Sequence, residues 1–111
     1  MLYTFFTEHD MQKDLNISFL NDIYGQLLTK RQREVIAQYY DYDLSLQEIS
    51  DNIGISRQAV LDAIKKGCEQ LNEYESKLGV LSLRKSVAKA LTETENGNYL
   101  QAEQILKDLL K

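Results

Sequence analysis

Two serines that can start helices, one on each side of a glycine, constrain this chain more than any other feature of its sequence. Ser45 precedes Glu48 at the spacing in which the serine hydroxyl accepts the glutamate amide and the glutamate reaches back to the serine amide. Gly54 then supplies a residue that adopts positive φ without strain, and Ser56 can begin a second helix almost at once. The pattern predicts a short helix and a longer helix joined by a very tight turn.

This arrangement is a helix-turn-helix, in which the first helix meets the second at a sharp angle. The motif needs a small residue where the two helices touch, and Ser50 occupies that position. It also needs a small apolar core, for which the sequence offers Ile49, Ile53, Ile55 and Val60. In such motifs the exposed start of the second helix faces the DNA major groove, so we predict nucleic-acid contacts there.

The candidate nucleic-acid contacts fall into two groups. The first, along the second helix of the motif, is Ser56, Arg57, Gln58, Lys65 and Lys66. The second, in the first turn of an earlier helix, is Lys30, Arg31 and Arg33. These residue types contact phosphate oxygens or base edges. The alternative for both groups is structural, because serines often only cap helices and charged residues on a solvated face usually bind nothing.

Apolar residues recur at helical spacing through the rest of the chain, which contains no proline. We predict an all-α fold and a single domain over residues 1–111, with an N-terminal helix at 15–28, a helix-turn-helix core at 29–79 and a C-terminal helical hairpin at 80–111. The buried stripe predicted for the first helix is Leu15, Phe19, Leu20, Ile23, Tyr24, Leu27 and Leu28. A second capping box, Thr29 with Gln32, begins the next helix, whose predicted stripe is Val35, Ile36, Tyr39 and Tyr40.

The long helix that begins at Arg57 carries an apolar seam with heptad-like spacing. Its members are Val60, Ile64, Gly67, Leu71, Tyr74 and Leu78. Gly67 lowers helix propensity by about 1 kcal/mol relative to alanine. Its place on the seam indicates close packing of another backbone, and the alternative is a simple loss of stability. The seam can pack against the C-terminal hairpin or against the same seam of a second copy, and we predict a homodimer.

Composition limits the classes of function. The formal net charge is -4, so any affinity for nucleic acid has to come from a local basic patch. One cysteine, Cys68, and one histidine, His9, are too few for an internal disulfide or a zinc site, and no pairing of nucleophile and base stands out. We predict no enzyme activity, no metal and no cofactor. The N-terminus does not resemble a signal peptide, so we predict a cytoplasmic protein without a membrane span.

Residues 28–78 resemble region 4 of bacterial sigma factors, through the segments 28–36, 45–50 and 55–60. In that family this region reads the upstream promoter element. The resemblance implies base contacts for Arg57 and Gln58 and phosphate contacts for Lys65 and Lys66. The second motif helix departs from the sigma pattern because it does not continue into an arginine-rich stretch. The chain is therefore not a working sigma factor.

The whole chain resembles the YlxM family, small proteins of Gram-positive bacteria described as DNA-binding and associated with the signal recognition particle. Segments 56–60, 62–65 and 74–79 carry this resemblance. It implies a role beside the particle's GTPase or RNA. We predict a nucleic-acid-binding protein that prefers DNA, because the deep, narrow major groove of A-form RNA excludes a helix. The alternative is an adaptor that binds the particle's GTPase or RNA and uses the helix-turn-helix as a scaffold.

Overall fold

The computed structural model describes residues 13–111; His9 and the rest of the N-terminal segment lie outside this range. Six α-helices follow one another within it. They are α1 (Leu15–Tyr24), α2 (Lys30–Ile36), α3 (Leu46–Ile53), α4 (Arg57–Leu78), α5 (Val80–Glu95) and α6 (Tyr99–Leu109). A 3-10 turn, Gly25–Leu27, follows α1, and a π-helical turn, Ala37–Asp41, extends α2. The predicted all-α fold is confirmed.

The chain divides into two compact units, Met1–Tyr74 and Glu75–Lys111. The first holds α1 to α3 and most of α4, and the second holds the last turn of α4 with α5 and α6. The helical hairpin that we expect from residue 80 therefore exists, and the unit that contains it begins five residues earlier. The single domain predicted over residues 1–111 stays a prediction.

Helix α1 buries a face that differs from the predicted stripe. Asp14 caps the helix by accepting the Asn16 amide at 2.8 Å, and the residues that reach the core are Ile17, Leu20 and Tyr24. Three members of the predicted stripe lie outside this core, because Leu15, Phe19 and Leu27 are 73%, 50% and 56% exposed. The apolar residues of this segment fit two overlapping helical faces, and spacing alone does not select the one that packs.

Helix α2 begins and packs as the sequence predicts. The Gln32 amide donates to the Thr29 hydroxyl oxygen at 3.1 Å, and the Thr29 amide donates to the Gln32 side chain at 3.1 Å, which completes the capping box. Val35 and Ile36 are fully buried. The π-helical turn that follows is not evident in the sequence. There the Tyr42 amide bonds to the Ala37 carbonyl at 3.1 Å, one residue further back than in an α-helix.

The π-helical turn brings two tyrosines into the first unit. The ring of Tyr39 is buried, and the hydroxyl of Tyr40 lies 3.6 Å from the sulfur of Cys68 on α4. Burial raises the pKa of the Cys68 thiol to about 11, and burial next to that thiol raises the pKa of Tyr40 well above its usual range. Both groups are therefore neutral at ordinary pH, and Cys68 is a packing residue.

Helix α4 packs its apolar seam inside the first unit. Val60, Ile64 and Leu71 are fully buried, and Gly67 is also buried. Tyr74 lies with its ring 5.9 Å from that of Tyr24. The prediction of a homodimer through this seam is therefore wrong for these positions, because their surface is already covered by the chain's own core. Leu78, at the end of α4, is 60% exposed.

Gly67 on α4 lies against the side chains of α2. A Cβ at this position would lie 2.5 Å from Ile36 Cδ1 and 3.6 Å from Gln32 Cβ. The first distance is shorter than van der Waals contact, so no larger residue fits without movement of the Ile36 side chain. Close packing therefore occurs at Gly67, but against the side chains of α2 rather than against a second backbone as the sequence predicts.

We expect Gly67→Ala to lower the free energy of unfolding by about 1 kcal/mol, because overpacking at Ile36 outweighs the gain in helix propensity. The same change should become stabilising in an Ile36→Val background, because valine lacks Cδ1. Urea unfolding of both single variants and the double variant measures this reversal. Additive effects of the two substitutions would contradict the proposed contact.

Candidate nucleic-acid interface

The first helix of the motif, α3, begins with the predicted capping box. The Glu48 amide donates to the Ser45 hydroxyl oxygen at 3.1 Å, and the Ser45 amide donates to the Glu48 carboxylate at 3.0 Å. Leu46 and Ile49 on its inner face are buried. The capping box thus fixes the start of α3, and the burial of Leu46 and Ile49 fixes which face of the helix packs against the core.

The loop before α3 is tied to the start of α1. The Lys13 ammonium lies 2.7 Å from the Asp43 carboxylate, donates to the Leu44 carbonyl at 3.2 Å, and sits 4.1 Å from the centre of the Tyr39 ring. Ser18 on α1 also hydrogen-bonds to Asp41. These contacts hold the chain just before the motif against the core of the first unit.

The turn between α3 and α4 is held by two residues. Gly54 adopts φ 80° and ψ 32°, and its amide donates to the Ser50 carbonyl at 2.9 Å. No atom lies within 4 Å of a Cβ built on Gly54, so positive φ rather than lack of space is the reason for glycine. The Ser50 hydroxyl donates to the Ile55 carbonyl at 2.5 Å. This bond across the turn explains why serine stands where alanine is more typical.

Helix α4 presents its start to solvent. Ser56 caps it by accepting the Ala59 amide at 3.0 Å, and a serine hydroxyl that accepts in this way can still donate its own hydrogen. Arg57 and Gln58 are exposed on the first turn. The structure thus places these three predicted residues together at the open end of α4, on a turn whose geometry is fixed.

The outer face of α4 mixes charges of both signs. Residues along a helix project roughly 100° apart, which places Gln58, Asp62, Lys65 and Glu69 on the side away from the buried seam. Lys65 is half-buried and Lys66 is exposed. The Gln58 side-chain amide donates to the Asp62 carboxylate at 3.2 Å. Sequence analysis misses this pair, although a spacing of four residues on a helix is the signal for it.

The basic group on α2 does not form one surface. Lys30 is exposed and its ammonium lies 3.8 Å from the Glu34 carboxylate. Arg31 and Arg33 project about 200° apart around the helix. Arg31 is exposed, whereas Arg33 is half-buried, and a Cβ on Gly25 would lie 3.4 Å from its Cδ. The group is therefore split around the helix.

The α2 group also lies away from the start of α4. Gln32, in the first turn of α2, packs next to Gly67, which is about 15 Å further along α4 than Arg57 at the rise of an α-helix. Lys66 immediately precedes Gly67 in that region. The α2 group therefore lies apart from Ser56, Arg57 and Gln58, next to the segment of α4 that carries Lys66.

The described residues contain no cluster of histidine, cysteine and carboxylate side chains that could hold a metal ion. Within the same range, no helix is long and apolar enough to cross a membrane. The described surface around α3 and α4 is instead polar and largely uncovered.

Comparison with known proteins identifies the family. Over residues 11–110 the chain matches the family UPF0122, described as "Putative helix-turn-helix protein, YlxM / p13 like". The chain belongs to the UPF0122 family. The UPF0122 protein of Desulforamulus reducens is 44% identical over 86 residues, which cover 78% of this chain and 74% of that protein. The resemblance to the YlxM family is thereby confirmed.

Two further UPF0122 proteins show how far the similarity extends. The protein of Clostridium botulinum is 52% identical over 77 residues, covering 68% of this chain and 71% of its own. The protein of Fusobacterium nucleatum is 37% identical over 97 residues, covering 86% and 94%. The helix-turn-helix seen in the structure agrees with the description of the UPF0122 family.

Replacing Ser50 with alanine should lower the free energy of unfolding by about 1 kcal/mol, because it removes the hydrogen bond to the Ile55 carbonyl. Thermal and urea unfolding measure the change. Ser82→Ala, at an exposed position in α5, is the matched control and should be neutral or slightly stabilising. Equal stability of Ser50→Ala and the wild-type protein would show that the bond does not hold the turn.

Proposed function

We propose that this UPF0122 protein binds duplex DNA with the first two turns of α4 in the major groove. The observation that carries the proposal is the exposed pair Arg57 and Gln58, on a helix start fixed by the positive φ of Gly54 and the hydrogen bond from Ser50. A rigid turn matters because base recognition requires donors and acceptors held in register with the base edges. We assign the protein no catalytic reaction and place it in the cytoplasm with its DNA.

Arg57 and Gln58 are the proposed base contacts. An arginine donates two hydrogen bonds to O6 and N7 of guanine, and a glutamine pairs with N6 and N7 of adenine. One N–H of the Gln58 amide is held by Asp62 at 3.2 Å, which leaves the second N–H and the carbonyl oxygen for adenine. Asp62 thus orients the amide and limits its rotation.

The remaining basic residues and Ser56 are the proposed phosphate contacts. Lys65 and Lys66 follow the recognition residues along α4, and the Ser56 hydroxyl can donate at the helix start. Lys30, Arg31 and Arg33 form a second, divided site next to Gly67. Asp62 and Glu69 lie on the same outer face as the lysines and repel phosphates. We therefore expect weak non-specific binding with a small salt dependence.

The acidic residues of α4 favour one alternative, a protein partner with a basic surface. Asp62, Glu69 and Glu73 are all exposed along the helix. In that case the helix-turn-helix is a scaffold, and the signal recognition particle's GTPase or RNA, which the YlxM resemblance implies, is the partner to test. We favour DNA because the exposed first turn of α4 carries Arg57 and Gln58 rather than acidic residues.

Fluorescence anisotropy with labelled duplex DNA at two salt concentrations tests the proposal. We expect binding by the wild-type protein and a loss of about 10-fold or more in Arg57→Ala/Gln58→Ala, since one good bidentate base contact is worth roughly 1–3 kcal/mol. The logarithm of the binding constant should fall with the logarithm of salt by about 0.9 for each phosphate neutralised. Lys89→Ala/Gln101→Ala removes one cation and one amide from exposed positions of α5 and α6 and should bind normally.

A variant with the opposite expected effect sharpens the test. Asp62→Asn keeps an acceptor for Gln58 but removes a negative charge, so it should bind DNA roughly 2- to 5-fold more tightly, the size of a screened surface interaction. Absence of DNA binding at low salt would contradict the proposal. Binding of signal recognition particle RNA or its GTPase in the same assay would then support the adaptor alternative.

A further inference from the structure

The second unit, Glu75–Lys111, leaves most of its apolar residues uncovered. The structure describes all of this unit, and only Ala90 and Ala102 in it are buried. Six larger apolar residues on α5, on α6 and directly after α6 remain between about half and nine-tenths exposed. They are Leu83 (47%), Val87 (47%), Leu91 (60%), Tyr99 (67%), Leu106 (46%) and Leu110 (87%).

These residues lie on one face of the hairpin. On α5, Val87 and Leu91 project about 60° and 100° to one side of the buried Ala90. On α6, Tyr99 and Leu106 project about 60° and 40° to the same rotational side of the buried Ala102, and Leu110, directly after the helix, continues this side at about 80°. Because the short connection makes the two helices antiparallel, these sides coincide in one surface, here called the hairpin face.

A unit of this size needs additional stabilisation. Below roughly 40 residues a folded unit usually depends on disulfides, metals or oligomerisation, because it buries too little apolar surface. The unit has no cysteine, and no metal-binding cluster occurs among the described residues. Its two buried residues are alanines, which contribute little apolar area. Association of the hairpin face with another surface would supply that stabilisation.

The hairpin face suits a second copy of this chain. The charged residues along its edge are Arg84 and Glu95 on α5 and Glu103 and Lys107 on α6. They balance in sign, and the Lys107 ammonium already lies 2.7 Å from the Glu103 carboxylate. A balanced edge does not repel a copy of itself, whereas an edge of one sign would select a partner of opposite charge.

The area is also sufficient. The exposed parts of the six side chains amount to roughly 700 Å², close to the about 800 Å² that each partner buries in a standard interface. Two hairpins packed through such faces form a four-helix bundle, in which each apolar stripe faces the other pair of helices. We infer that two copies of this protein associate through the hairpin face of α5 and α6.

A dimer of this kind has a consequence for binding. Each pair of chains carries two helix-turn-helix motifs, so two weak contacts with one nucleic acid are linked and reinforce each other. The inference itself rests on the hairpin alone, and it holds whichever molecule the motif binds.

Sedimentation equilibrium of the full chain over a range of concentrations tests the inference. We expect the wild-type protein to have twice the chain mass at tens of micromolar. Leu91→Glu and Leu110→Lys should each raise the dimer dissociation constant by about 100-fold or more, because each would bury a charge in an apolar interface. Leu110 is 87% exposed at the end of α6, so lysine there does not disturb the fold. Circular dichroism checks that each variant remains helical.

Leu100→Glu is the matched control. Leu100 is 82% exposed but projects about 160° from Ala102, away from the hairpin face. The Leu100→Glu protein should remain dimeric. A monomeric wild-type protein, a dimer that survives both face substitutions, or a dimer lost equally in Leu100→Glu would each overturn the inference. A monomeric wild-type protein would indicate instead that the hairpin face binds a different protein.

Discussion

The contact between α2 and α4 at Gly67 is the constraint on which the first unit depends. Only a residue without a side chain lets the Ile36 side chain come within 2.5 Å of the position that a Cβ would occupy. This approach lets Val60, Ile64 and Leu71 of α4 reach full burial along the same side. Since α4 is one continuous helix, the packing at its middle also fixes the direction in which its first turn points.

The start of α4 gains its precision from the turn that precedes it. Gly54 sets the backbone, and Ser50 closes the turn through the Ile55 carbonyl. Lys13 ties the preceding loop to α1 and Tyr39. The proposed base contacts, Arg57 and Gln58, thus lie on a helix whose position is fixed by the turn before it and by the contacts of the preceding loop. This fixed position reduces the entropy lost on binding. The mixed charge of the outer face tunes the strength of that binding and does not change its position.

Local signals in the sequence predict much of this fold. Both capping boxes, Gly54, Ser56 and Gly67 behave as their chemistry requires, because each acts through residues nearby in sequence or through a strict demand for space. The core face of α1 is predicted only in part: Leu20 and Tyr24 are buried as expected, but two overlapping apolar stripes satisfy the same spacing, and tertiary packing selects Ile17 over Leu15 and Phe19. The π-helical turn has no such local signal.

The site is predicted less completely than the fold. The sequence identifies Ser56, Arg57 and Gln58 because they follow a turn, but it does not show that Arg31 and Arg33 project to different sides of α2. Nor does heptad spacing distinguish a seam that meets a second chain from one that meets the chain's own core. That distinction depends on which surfaces the rest of the chain covers, and here the α4 seam from Val60 to Leu71 is buried while the hairpin face is not.

An NMR titration of the uniformly ¹⁵N-labelled protein with duplex DNA tests the central claim most directly. The account predicts that backbone amide shifts concentrate in residues 56–62 at the start of α4, extend to Lys65 and Lys66, and leave α5 and α6 unchanged. Shifts confined to α5 and α6, or no shifts at low salt, would contradict the claim that the helix-turn-helix of this UPF0122 protein binds DNA.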